Sequence, residues 1–258
     1  MLVRILPLLL LTTTAAHAGT RLESVSWDLS GGDTMTVSTW AQGGMMRVEM
    51  QPGESTMIFR DDTIYAISHK DKSYVAMDRA TMKRVAEQVN PALKMLQEQM
   101  KNMAPEQRAQ MEKMLGARLP GTAEQAQQIK RTSRSDKING YSCTYVEVHE
   151  GGELIDELCI ASSGTIKGSE ELINAARLMS AAVQDMMSVM DAPWLKEMAQ
   201  KQMQNFDALG GIPVFSRNFA DGKPRRETTL TRVSSESIAP AQFEVPAGYT
   251  RKDMMAPR

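Results

Sequence analysis

The 258-residue chain carries 30 Lys and Arg against 31 Asp and Glu, and residues of both signs are interspersed along its length. With a formal net charge of −1 and no basic patch, the sequence argues against a nucleic-acid partner. Three His and an aromatic content of 5% leave little material for a His-ligated metal site, a His-based catalytic triad or a platform that stacks ligands on rings.

The first eighteen residues have the pattern of a secretory signal peptide, with Arg4 before the apolar run 5–11 and an Ala-His-Ala sequence that ends at Ala18. We expect cleavage after Ala18 and a soluble periplasmic protein. The alternative, an uncleaved membrane anchor, is disfavoured because the apolar run is far shorter than the roughly 20 residues that span a bilayer. No later stretch is long and apolar enough, so we expect no membrane-spanning segment.

Apolar residues alternate with polar ones from Leu22 to Asp78, which is typical of strands with one buried face. Turn signals divide this stretch into six short strands joined by tight hairpins. These signals are Gly31-Gly32-Asp33, Gln42-Gly43-Gly44, Pro52-Gly53, Asp61-Asp62 and Lys70-Asp71-Lys72. The pattern predicts a meander.

The apolar period changes after Asp78, which can cap a helix running toward Val89. Pro91 and Pro105 predict that a second and a third helix start there, because Pro favours the first turn of a helix. The apolar stripe of this region is formed by Leu93, Leu96, Met100 and Met103. We expect a helical insertion near residues 79–116.

Strand alternation returns over residues 128–135 and 140–161, and again over 212–219 and 225–237. The expected total is about eleven strands, followed by a polar tail at 251–258. The fold class is therefore α+β, with one antiparallel sheet interrupted by helices. Since the length suits one large domain, we expect residues 19–250 to form a single one.

A second helical insertion is expected near residues 169–207. Ser169 caps what we predict to be the longest helix, and Asp191-Ala192-Pro193 opens another. The apolar stripe of the first of these helices steps by four and three, through Leu172, Ala176, Met179, Val183, Met186 and Met190.

The two cysteines, Cys143 and Cys159, are placed symmetrically about the Gly151-Gly152 turn of a predicted hairpin. They would face each other across the two strands, and an exported protein meets an oxidising compartment, so we predict a disulfide between them. The alternative is a redox-active thiol pair, but the close C-x-x-C spacing of such pairs is missing.

The 21 methionines admit two interpretations. Clustered thioethers select Cu(I), which makes a copper site one possibility. Helical spacing of three and four is also what a buried stripe or an apolar pocket requires, and the same stripes contain Leu, Val and Ala. The second interpretation is favoured. The clusters in question are Met45-Met46 with Met50, Met100 with Met103, Met111 with Met114, and Met186-Met187 with Met190.

Catalytic signatures are absent from the sequence, which lacks a phosphate-binding glycine loop, G-x-S-x-G, H-E-x-x-H and S-x-x-K. Glu147, His149 and Glu150 cluster beside the predicted hairpin turn, where a solvated turn explains them better than an acid-base group does. We therefore expect no enzyme activity, no catalytic residues, no metal and no cofactor.

Two segments resemble a bacterial exported family known only as a domain of unknown function, number 4412. They are Ile138-Asn139-Gly140-Tyr141-Ser142-Cys143 and Phe243-Glu244-Val245-Pro246-Ala247-Gly248-Tyr249. The strand-helix-strand layout is similar to the lipoprotein-carrier superfamily of LolA, LolB and LppX. This resemblance implies a strongly curved sheet, an incomplete barrel, whose concave face is covered by helices above a gap that can hold acyl chains. No lipid-handling position of the carriers matches a residue of this chain.

The expected function is thus that of a periplasmic binding or carrier protein for an acyl chain, lipid or lipoprotein. Residues expected to contact the ligand are Met100, Met103, Met179, Val183, Met186 and Met190. The alternatives are a Cu(I)-binding envelope protein and a non-catalytic interaction module with a packed interior and an envelope protein as its partner.

Overall fold

The computed structural model describes residues 18–102, 104, 106–107, 127–190 and 209–254. Within these ranges the chain forms one sheet of twelve strands and two α-helices. The strands are β1 Gly19–Asp28, β2 Thr34–Gln42, β3 Met45–Met50, β4 Ser55–Arg60, β5 Thr63–Ser68, β6 Ser73–Met77, β7 Gln127–Ile138, β8 Tyr141–Glu150, β9 Glu153–Ser162, β10 Gly211–Ala220, β11 Lys223–Glu236 and β12 Thr250–Arg251. The helices are α1 Arg79–Lys101 and α2 Ser169–Met187.

The strand order is β12-β6-β5-β4-β3-β2-β1-β11-β10-β9-β8-β7, so the predicted six-strand meander is confirmed. Neighbouring strands are antiparallel except β12, which runs parallel to β6. The edge strands β12 and β7 do not pair with each other, and the sheet is open and curved. Pairing of β1 with β11 joins the meander to the later strands, which places the first strand in the middle of the sheet.

The hairpin between β7 and β8 shows how local sequence determines a turn. Asn139 and Gly140 have φ values of 48° and 90°, which is the pair of positive values that a two-residue type I′ turn requires. The Asn139 amide also donates a hydrogen bond of 2.8 Å to the carbonyl of Leu230 in β11. The turn is therefore fixed both by its own conformation and by a distant strand.

The predicted helix break at Pro91 is wrong, because α1 runs through this residue without interruption. Proline removes one hydrogen bond from a helix interior, but contacts in the turn before Pro91 fix the helix against the rest of the protein. Ala86 is buried in the core, and the Asn90 amide donates to the carbonyl of Val189 at 3.4 Å. Tertiary packing thus outweighs the local cost. The helix predicted from Pro105 onward falls almost entirely outside the described residues.

Asp78 caps α1, as predicted. Its carboxylate accepts a 2.6 Å hydrogen bond from the backbone amide of Thr81, and this bond lowers the pKa of Asp78 below its usual value.

The prediction that Ser169 caps α2 is wrong. Gly168 occupies the cap position with φ of 83°, and Ser169 is the first helical residue, its hydroxyl donating to the carbonyl of Ser163. With 19 residues, α2 is also shorter than α1, which has 23, so it is not the longest helix. The helix expected from Asp191 lies outside the described residues.

Two apolar cores lie on opposite faces of the sheet, because successive strand residues point to opposite faces. Phe59 belongs to the main core, which both helices share, and the adjacent Ile58 belongs to a smaller second core. A short 3-10 turn, Pro240–Phe243, covers the second core with the buried Phe243.

After this turn the chain forms β12, so the sheet has twelve strands where about eleven were expected. The polar tail expected from residue 251 starts inside this strand.

Candidate functional site

The main core, which both helices share with the sheet, is rich in methionines, and these are called the methionine layer below. Eight methionines belong to it or pack against it, contributed by β3, β4, β6, both helices and the segment directly after α2. Met46, Met82, Met186 and Met190 are buried, and Met57, Met77, Met179 and Met187 are partly buried. Because a thioether chain is unbranched and has three rotatable bonds, such a layer adapts its shape more readily than one built of Leu or Ile.

Four of the six residues predicted to contact a ligand are brought together in this layer. Met186 and Met190 are buried, while Met179 and Val183 pack against the same core at its margin. Met100 lies in α1, but its side chain is outside the described residues, and so is Met103.

A cleft of about 680 Å³ lies between α1 and the chain just after α2. Its lining residues are Arg79, Lys83, Ala86, Glu87, Asn90, Pro91, Lys94 and Val189. Ala86, only 2% exposed, and Val189 are also members of the main core. The cleft therefore reaches the edge of the main core from the outside.

Polar ties hold α2 at its two ends. At the first end the Thr20 hydroxyl donates to the carbonyl of Gly168 at 2.8 Å, and Glu171 accepts from the amide of Gly43 at 3.1 Å. At the other end Arg79 of α1 forms an ion pair with Asp185. Between these ties the helix packs on β1, β2 and β3 through apolar side chains.

The disulfide prediction is confirmed, since Cys143 and Cys159 are bonded with Cα atoms 5.3 Å apart. The direct opposition expected for them is wrong, because Cys159 pairs in register with Tyr145. The register between β8 and β9 shifts between Val148, which pairs with Asp156, and His149, which pairs with Leu154. Ile155 is therefore an extra, unpaired residue in β9, a β-bulge. The bulge makes the cysteines a diagonal pair. Both are buried in the main core, so the bond cross-links β8 and β9 beneath other side chains.

The methionines of β3 do not form a common ligand set. Met46 belongs to the main core, Met45 packs in the second core on the other face, and Met50 is exposed. Met111 and Met114 fall outside the described residues. Within the described part of the chain, no group of three or more His, Cys, Asp or Glu side chains is placed to hold a metal ion.

The negative charge of the buried Glu157 carboxylate is neutralised by ion pairs with two arginines. It lies between Arg134 and Arg217, and Arg217 also bonds Glu227 at 2.7 Å. The hydrogen bond to Glu157 raises the pKa of Arg134. This network ties β7, β9, β10 and β11 together, which explains it as a structural element.

The two histidines that follow Ala18 are both hydrogen-bonded. His149 lies 2.9 Å from Glu147 and is half-buried, so the solvated turn expected for this cluster is only partly correct. His69 bridges Thr56 and Tyr249, each at 2.8 Å, and joins the second core to the sheet.

The cleft was not predicted from the sequence. Its polar wall recurs every three or four residues along α1, at Arg79, Lys83, Glu87, Asn90 and Lys94. This spacing in the sequence could have shown that these residues share one face of a helix. The sequence could not have shown that Val189 lies opposite that face, because only the fold brings it near Ala86.

The sequence of this chain matches one known protein-family model. A family model described as a domain of unknown function, DUF4412, matches residues 81–249, from the first turn of α1 to the end of the segment that covers the second core. The chain belongs to the DUF4412 family. The family resemblance predicted from the sequence is thereby confirmed. No curated protein sequence matches the chain.

Three solved structures similar to this DUF4412 protein span most of its length. An uncharacterized conserved protein from Thermus thermophilus shares 8% identity, with a TM-score of 0.46 over 92% of this chain and 90% of the other. The Pseudomonas aeruginosa MucA/MucB complex shares 9% identity, with a TM-score of 0.38 over 90% of this chain and 56% of the other. A LolA superfamily protein from Nitrosomonas europaea shares 7% identity, with a TM-score of 0.25 over 88% of this chain and 89% of the other. Because these TM-scores are below 0.5, the function proposed below rests on this chain's own residues.

Among the described residues, no helix is both long enough and apolar enough to cross a membrane.

Proposed function

We propose that this protein is a non-catalytic binding or carrier protein that holds the acyl chain of a lipid, a lipoprotein or another hydrophobic ligand between its helices and its sheet. The observation that carries the proposal is the set of eight methionines in the main core, the edge of which the cleft beside α1 reaches at Ala86 and Val189. In this proposal α1 and α2 cover the concave face of the sheet and act as its lid.

The physical support for this proposal comes from what a close-packed core requires in order to bind an acyl chain. Interiors are close-packed, so an incoming chain needs side chains that can change rotamer at low cost. Methionine meets this need, and its contacts are as apolar as those the guest brings. A chain that enters beside Ala86 and Val189 would pass into the core that contains Met186 and Met190, while the polar ties at the ends of α2 stay in place.

We also propose that the protein works in the periplasm after removal of residues 1–18. The Cys143–Cys159 disulfide supports this, because such bonds form and persist in oxidising compartments. Sequencing of the mature N-terminus, with Gly19 as the expected first residue, is the corresponding check.

The proposal is tested by replacing Met179, Met186 and Met190 together with Leu. A hydrophobic site needs apolar volume and not sulfur, so we expect a fluorescent fatty-acid probe to bind the variant within about threefold of wild type, as Met-to-Leu exchanges cost little. In the same titration Val189→Trp, which fills the cleft, should weaken binding at least about tenfold. Leu29→Trp, at an exposed position in the turn after β1, is the matched control and should bind like wild type.

Two outcomes would contradict this function. Wild type that binds no acyl probe would indicate a packed interior and favour an interaction module. Wild type that holds one Cu(I) against a competing chelator, and loses it when the three methionines become Leu, would favour the copper alternative, since Leu offers no lone pair.

A further inference from the structure

The polar wall of the cleft has an excess of positive charge. Arg79, Lys83 and Lys94 stand against Glu87 among the lining residues. The charge of Arg79 is used by its ion pair with Asp185. Lys83 and Lys94 are exposed, and among the described residues neither has a carboxylate within ion-pair distance.

The remaining lining residues of the cleft, Ala86, Pro91 and Val189, are apolar and are called its apolar floor below. A helix rises about 1.5 Å per residue, so Lys83 and Lys94 are about 16 Å apart along α1. The cleft is therefore a trough in which two ammonium groups, without a carboxylate partner in the part of the chain that the structure describes, lie beside an apolar floor. A ligand with an apolar chain and a single negative charge complements both features.

From this arrangement we infer that the ligand is a single-chain anionic amphiphile, of the fatty-acid class, whose head group pairs with Lys83 or Lys94 while its chain lies on the floor and points into the methionine layer. The inference rests on the proposed function and adds the charge of the ligand to it. Glu87 lies between the two lysines and opposes the anion. Removing its charge should therefore tighten binding.

The test compares 11-(dansylamino)undecanoic acid with its methyl ester, which keeps the chain and the fluorophore but has no charge. For wild type at low salt we expect the acid to bind about three- to tenfold more tightly than the ester, the size that one or two partly exposed charge pairs produce. The preference should shrink as salt screens the charges.

Two variants with the same change of charge locate the effect. Lys83→Gln with Lys94→Gln should bring the ratio of the ester's dissociation constant to the acid's dissociation constant close to one. Lys130→Gln with Lys137→Gln, at exposed positions of β7, should leave it unchanged. Glu87→Gln should raise the ratio. The two single lysine variants show which end of the trough takes the head group.

The possible results separate the two proposals. Equal binding of acid and ester by wild type would overturn the anionic head group and leave chain binding intact. An acid preference that survives the Lys83 and Lys94 changes, or that falls equally in the β7 control, would overturn the assignment to this cleft. Failure of both probes to bind would overturn the proposed function and, with it, this inference.

Discussion

Replacing both Cys143 and Cys159 with Ala is expected to lower the free energy of unfolding by about 2–4 kcal/mol. The disulfide closes a loop of 16 residues, and loss of that constraint on the unfolded chain is worth about 3 kcal/mol on the chain-entropy model. Both cysteines are buried, and Ala avoids placing an unpaired hydroxyl in the core, as Ser would do. Equilibrium denaturation in urea under non-reducing conditions measures the effect.

Wild type treated with a reductant is the control for the cysteine variant. It should lose a similar amount of stability, because the same bond is removed without any change of sequence. If folded wild type from the periplasm contains two thiols that react with an alkylating agent, or if the Ala variant unfolds at the wild-type midpoint, this part of the account is wrong.

Replacing Gly168 with Ala is expected to destabilise the protein by about 1.5–3.5 kcal/mol. With φ of 83°, Gly168 is in the left-handed region, where a non-glycine residue costs about 1–2 kcal/mol. A β-carbon at this position would also lie 2.0 Å from the hydroxyl oxygen of Thr20. The side chain of Thr20 must then move, which breaks its hydrogen bond to Gly168 and removes roughly a further 0.5–1.5 kcal/mol.

Gly31→Ala is the matched control for the change at Gly168. Its φ of 95° is also left-handed, but a β-carbon there would have no neighbour within 4 Å. It should therefore show only the backbone cost. Chemical denaturation of both variants isolates the contact with Thr20, and adding Thr20→Ala to Gly168→Ala should return part of the loss. Equal destabilisation by the two glycine changes would show that Thr20 does not seat the start of α2.

The strands and hairpins could be predicted because their signals are local. From Leu22 to Asp78 the alternation of apolar and polar residues and the intervening turn residues act over a few positions, and the six strands follow. The shift in the β8–β9 register had no such signal. Leu154 and Ile155 are both apolar, so the sequence does not show that Ile155 is the residue that the pairing omits.

The helices show where local signals fail. The local sequence around Pro91 favours a helix start, yet α1 continues through this residue, and the preceding Asn90 is bonded to the distant Val189. Ser169 is a better cap than Gly168 by propensity. The chain instead needs a left-handed residue there, which lets Thr20 approach the backbone. The cleft depends on Ala86 and Val189, residues 103 positions apart, so it could not be derived from a sequence pattern.

The most direct test of the central claim is mass spectrometry of protein purified without detergent, measured both intact under native conditions and after extraction into organic solvent. The account predicts that the native protein carries additional mass and that the extract contains an acyl-chain compound in roughly stoichiometric amount. It also predicts that this compound is lost from the Val189→Trp variant and retained in Leu29→Trp. A native mass equal to that of the polypeptide, together with an extract free of acyl chains, would contradict the claim that the space between helices and sheet holds a hydrophobic ligand.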